Sequence, residues 1–183
     1  GNGYVDDIRG WDFINNDNAP LDDNMHGTHV AGIVGAVGDN GIGLAGAAWN
    51  VKLMTIKVFQ SNGLGDALTI AEAVEYASTN GANIINMSFG SYAKSSTLKL
   101  ALENAYATAI LVASAGNDAI PIGPCENCSP HYPAAYPFVI GVEDQPKPPI
   151  PEAYTNFDQD GPTFTRYPFL YNYELTAPGT SIM

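Results

Sequence analysis

The sequence predicts an α/β fold with a mostly parallel sheet between helices. Three observations carry this expectation. Short apolar runs such as "NIINMSFG", "ILVASAGN" and "FVIGV" are nearly continuous, as strands covered on both faces require. Segments with apolar residues at helical spacing separate those runs. The chain of 183 residues, 45% hydrophobic and 14% charged, suits one domain, residues 1–183, with a sizeable core.

The elements follow in order. "HGTHVAGIVGAV" (His26–Val37) is small and apolar and reads as a helix buried on most sides. "VKLMTIKVF" (Val51–Phe59) alternates and reads as a strand. "GDALTIAEAVEYASTNG" reads as an amphipathic helix that Gly81 terminates. "NIINMSFG" reads as a short buried strand. "SSTLKLALENAYATA" is a second amphipathic helix, with Ser95 or Ser96 as its N-cap. "ILVASAGN" and Phe138–Val142 complete the strands, and the Pro- and Tyr-rich remainder reads as surface loops with one or two short strands. Parallel sheets bind ligands at the carboxyl ends of their strands, where "SFG" and "SAGN" begin.

Charge narrows the function classes. With 19 acidic and 7 basic residues the net charge is −12, which argues against nucleic acid and fits a surface that holds cations. No apolar run reaches the length of a membrane span. The chain opens on "GNGYVDD" without Met and closes on "GTSIM", so a processed chain or a fragment is expected. Cys125 and Cys128 in "GPCENCSP" fit a loop-closing disulfide, free thiols, or a metal or redox pair. A disulfide would point to an oxidising, extracellular setting.

Several motifs bear on chemistry. His26 and His29 sit three apart, but zinc sites favour HxxxH with an intervening Glu, which is absent. His29, deep in an apolar helix, reads as a hydrogen-bonded core residue. His26, at the helix start beside Gly27, suits a general base facing a cleft. "GIGLAG" (Gly41–Gly46), with Asp66 further on, matches GxGxxG, but a helix precedes it and a strand follows, the reverse of a dinucleotide site. In "SAGND", Asn117 forms either an Asx turn or a donor to a developing oxyanion.

Taken together, "HGTHVAG", "NMSFG", "VASAGN", "YPAAYPFVIGV" and "ELTAPGTSI" resemble, in order, the motifs of subtilisin-like serine peptidases over nearly all of the chain. The resemblance implies a three-layer subtilisin-like fold, lacking its N-terminal strand and C-terminal helices. It implies that His26 is the triad base, His29 a structural residue and Asn117 the side-chain oxyanion donor. Ser88, Phe89 and Gly90 match the edge that pairs with substrate backbone. Ser114, Ala115 and Gly116 match the other wall of the specificity pocket, suited to large apolar or aromatic side chains. The loop "GAVGDNGIGL" resembles the family's calcium loop. Carbonyls such as those of Val37, Ile42 and Leu44, with a side chain of Asp39 or Asn40, would surround the ion. Asp6 and Asp7 would be ligands in the tail of a second such loop.

The chain departs from the family pattern at both ends. No D-[ST]-G motif for the triad Asp precedes His26, since Asp6 and Asp7 lack its glycine. "GTSIM" resembles the nucleophile motif GTSMA, yet "ELTAPGTSI" fits better as the family's preceding strand-end motif, so Ser181 is not expected to be the nucleophile. The expected function is a secreted serine endopeptidase acting on polypeptides, with this portion inactive alone. The alternative is a non-catalytic peptide-binding relative; a nucleotide-binding domain is a distant third. The truncated sheet would leave open edges that favour self-association.

Overall fold

The structure is a computed structural model that describes residues 2–122, 129–144, 157–158 and 175–177. The chain divides into two compact units, Gly1–Ala82 and Asn83–Met183.

In the first unit, strand β1 (Gly10–Asp12) pairs in parallel with β2 (Thr55–Lys57), Gly10 opposite Thr55. Gly10 has φ +114°, and a Cβ there would lie 1.7 Å from the Thr55 carbonyl oxygen, so only glycine allows this approach. Between them runs helix α1 (His26–Gly35), and after β2 comes α2 (Ala67–Thr79). Asp66 caps α2 by accepting from the Leu68 and Thr69 amides. Gly81, at φ +86°, follows its end as the sequence predicts. The helix buries Ile70, Ala71, Ala73, Val74, Tyr76 and Ala77, the stripe set by their spacing. Tyr76 joins Tyr4, Trp11 and Phe13 in edge-to-face contacts, with Tyr4–Trp11 centroids 4.9 Å apart.

In the second unit, β3 (Ile84–Met87), β4 (Ile110–Ser114), β6 (Ile140–Asp144) and β8 (Leu175–Ala177) form a four-stranded, all-parallel sheet in that order. Helix α3 (Ser96–Tyr106) connects β3 to β4. The Ser95 hydroxyl caps it by accepting from the Leu98 amide, which decides between the two serines. β5 (Pro121–Ile122) pairs in parallel with β7 (Phe157–Asp158). Met87, Leu102, Leu111, Ala113 and Ala115 are at most 1% exposed and form the core with residues 131–136. β7 and β8 are the short strands expected after Val142, and β8 ends just before Pro178.

Three expectations need correction. No residue of α1 is buried, and His29 is exposed, so it is not a core histidine. The cause is what lies against the helix: small side chains permit close packing but cover nothing unless an element lies on them. Within its unit α1 is met chiefly at its last turn, where Val51 and Leu53 lie against Gly35 and Ala47 and Ala48 donate to the Ile33 and Val34 carbonyls. The strand expected over Val51–Phe59 shrinks to Thr55–Lys57, because the chain ahead of it packs on that turn instead of on a ladder. β3 is not buried throughout. Lying at the end of its sheet, it leaves Ile84 62% exposed and buries only Met87 fully.

Candidate active site

The first unit presents His26 as the first residue of α1, exposed to solvent. Its backbone is set by Asp22, a residue the motif reading passed over. Asp22 Oδ1 accepts from the Asn24 and Met25 amides, both at 2.9 Å. Its Oδ2 accepts from the Thr28 amide at 2.7 Å and the Thr28 hydroxyl at 2.6 Å. The Thr28 hydroxyl, with these amides, holds the carboxyl far below the usual carboxylate range. Met25, between Asp22 and His26, is left-handed at φ 76° and offers no cap of its own. The signal in the sequence is an aspartate six residues ahead of a threonine in the first helical turn, outside the usual capping box.

The loop read as a calcium site follows α1. Val37, Asp39, Asn40, Ile42 and Leu44 are all exposed, and Gly41 and Gly43 are left-handed. Asn40 Oδ1 accepts from the Ile42 amide at 2.9 Å. The loop runs from a helix towards a strand, so GxGxxG here has no dinucleotide geometry, and Asp66 is a helix cap. Asp7, the other calcium candidate beside Asp6, accepts from Asn2 Nδ2 and the Tyr76 hydroxyl, both at 2.7 Å. The Tyr76 bond holds the Asp7 carboxyl below its ordinary value, while burial, then Asp7, push the Tyr76 phenol up to about 12. Asp12, 1% exposed, folds onto the Ile14 and Asn15 amides at 2.8 and 2.9 Å. It too was missed, since an aspartate in a three-residue strand carries no periodic signal.

The second unit brings the remaining candidates together. Met87 pairs with Ala113, so Ser88–Gly90 and Ser114–Gly116 leave adjacent parallel strands at their carboxyl ends. Ser114 and Phe89 are half-buried, Ala115 is 1% exposed, and the Ala115 amide donates to the Val142 carbonyl at 2.8 Å. Gly116, at φ +103°, turns the chain so that Asn117 is exposed.

His131 meets both of these segments, and none of the motifs quoted from the sequence includes it. It is 6% exposed, with Nδ1 3.4 Å from the Ser114 carbonyl oxygen. A Cβ on Gly90 would lie 2.2 Å from its Cε1, so glycine makes room for the ring. Tyr92 meets it edge-on at 5.1 Å, and Ser91 and Tyr132 exchange two 2.8 Å backbone bonds beside it. Burial lowers the imidazole's pKa, against the Ser114 carbonyl and the charge of Asp118, which raise it.

This order of elements and loops agrees with known proteins. The model of the Subtilase family of S8 peptidases matches residues 1–182. The chain belongs to the subtilase family. It is 33% identical over 176 residues to Thermitase of Thermoactinomyces vulgaris, covering 96% of this chain and 56% of that protein. It is 41% identical over 135 residues to Subtilisin DY of Bacillus licheniformis, covering 74% and 48%. The crystal structure of a cold adapted subtilisin-like serine proteinase superposes with a TM-score of 0.72 at 25% identity, covering 97% of this chain and 59% of that one. The chain therefore spans about half the length of these subtilases. Cys125, Cys128 and Ser181 lie outside the described residues. Among the described residues no helix is long and apolar enough to cross a membrane, and no group of three or more His, Cys, Asp or Glu stands ready for a metal.

Proposed function

We propose that this chain is the central part of a secreted serine endopeptidase that hydrolyses peptide bonds through an Asp-His-Ser triad. In that reaction a serine hydroxyl attacks the scissile carbonyl and His26 takes its proton. His26 then gives the proton to the leaving amine, and water repeats the sequence on the acyl-enzyme. The Asn117 carboxamide donates to the oxyanion. Substrate backbone pairs along Ser88–Gly90, and the side chain before the scissile bond lies against Ser114–Gly116. The triad Asp and Ser come from outside this portion, which alone turns over no substrate.

What carries this reading is that a subtilase sequence keeps an exposed histidine opening α1 and an exposed asparagine after β4, neither of which a mere binding groove needs. The test is peptide hydrolysis by the full-length protein. His26→Ala should lower kcat about 10²–10⁴-fold with the fold intact, and Asn117→Ala should lower kcat with little change in KM. Peptide binding without turnover would instead make it a non-catalytic relative.

The loop Val37–Leu44 supports one structural calcium. Its donors would be the carbonyls of Val37, Ile42 and Leu44 with Asp39 or Asn40, an oxygen-only set of the kind this ion takes. Millimolar calcium should raise the melting temperature; no shift would remove the assignment. The end strands β3 and β8 support self-association by edge pairing. A single monomeric species in sedimentation would count against it.

A further inference from the structure

We propose that His131 makes the peptide groove pH-sensitive: as a neutral ring it ties the Ser88–Gly90 edge to the Ser114–Gly116 wall, and its protonation weakens binding of apolar peptide side chains. This rests on the groove assigned above, but not on turnover.

Geometry carries the argument. His131 is one of two buried polar or charged residues among those described, and the proposed chemistry does not use it. Its Cε1–Nδ1 edge packs against Gly90, and Nδ1 also faces the Ser114 carbonyl. With its proton on Nδ1 the ring donates towards that carbonyl and keeps Nε2 unprotonated. Among the described residues, the titratable groups beside it are Asp118, after β4, and Tyr92, after β3. The Tyr92 hydroxyl donates to Asp118 Oδ2 at 2.7 Å, which leaves that carboxylate shared and exposed. At 6% exposure a charged ring regains water only if the Gly90 and Ser114 segments part, and a peptide side chain bound along them opposes that parting. Lost water disfavours imidazolium. Proton and peptide binding must then oppose each other to the same degree in both directions.

The sign follows. Above the ring's pKa, peptide affinity is constant. As pH falls through that value, below the ordinary 6.5 of histidine, the dissociation constant rises. One proton limits the rise to about tenfold per pH unit.

The experiment uses the full-length protein carrying His26→Ala, which removes both turnover and the titration of the catalytic base. Calorimetry measures binding of a short blocked peptide with one phenylalanine, from pH 7.5 down through the His131 pKa that NMR gives for the free protein. The dissociation constant should rise several-fold on acidification, and His131→Gln should bind with no such rise. Should the Gln variant not fold, His131→Asn takes its place. In addition, NMR should show the His131 pKa falling when the peptide saturates the protein with residue 131 intact. A constant affinity in the parent, the same pH response without His131, an unmoved His131 pKa, or no binding at any pH would each overturn the inference. Failure of the unsubstituted protein to hydrolyse any peptide would sink the peptidase reading alone, and these binding data would still decide the role of His131.

Discussion

The two units are stabilised differently. In the second, strands and helix share a dry interior: Leu102 and Ala105 are 0% exposed, and Leu111 and Ala113 are 1% exposed. In the first, one face of α2 is buried, as is Trp11 in the aromatic cluster, but α1 buries nothing, and Ile33, Val34, Val37, Ile42, Leu44 and Trp49 are all at least 37% exposed. Aspartates do much of the ordering there. Asp7, Asp12, Asp22 and Asp66 each collect donors from backbone or side chains. The lesson is that the segment bearing His26 is held by directional polar bonds, while the segments Ser88–Gly90 and Ser114–Gly116 are held by packing. Directional bonds fix a backbone without a core behind it.

The largest effect should come from removing packing in the second unit. Leu102→Ala should cost about 2–5 kcal/mol, the usual range for a buried leucine, read from denaturant midpoints. Leu100→Ala, on the same helix but 59% exposed, is the control and should stay within about 0.5 kcal/mol. Equal losses at both positions would end the contrast. Next comes Gly90→Ala, whose Cβ would collide with the His131 ring. Overpacking of this kind costs about 1–3 kcal/mol. His131→Gln should recover part of that loss in the double variant, because the two residues are in contact.

Asp22→Ala tests the polar side of the comparison. Loss of a capping acceptor should cost about 1 kcal/mol at neutral pH. The folded carboxyl titrates below its ordinary 3.8, so its contribution is present above that value and fades as pH falls through the folded pKa. The difference in melting temperature between parent and variant should therefore be constant above pH ~5 and shrink below pH ~4. A gap that stays constant into acid would show that Asp22 acts without its charge. The smallest effect is expected at Ile33→Ala in α1, 42% exposed, at under about 0.5 kcal/mol. A loss of several kcal/mol there would mean that α1 is covered in solution.

What the residues alone determined is local or periodic. The 3.6-residue spacing placed α2 and α3, Gly81 ended the first and Ser95 or Ser96 began the second, and apolar runs placed β3, β4 and β6, because those signals are written within a dozen neighbouring residues. Motif order placed the chain among the subtilases before any coordinates. Only the tertiary structure decided what depends on partners distant in sequence. β1 is three residues long and exists because β2, over forty residues later, pairs with it through Gly10. Whether small-residue α1 is buried depends on what lies against it, and its composition is the same either way. His131 lies outside every motif, yet it meets Gly90 and Ser114, residues 41 and 17 positions earlier. Burial and contact are properties of a folded neighbourhood, and a single sequence states them only where its periodicity does.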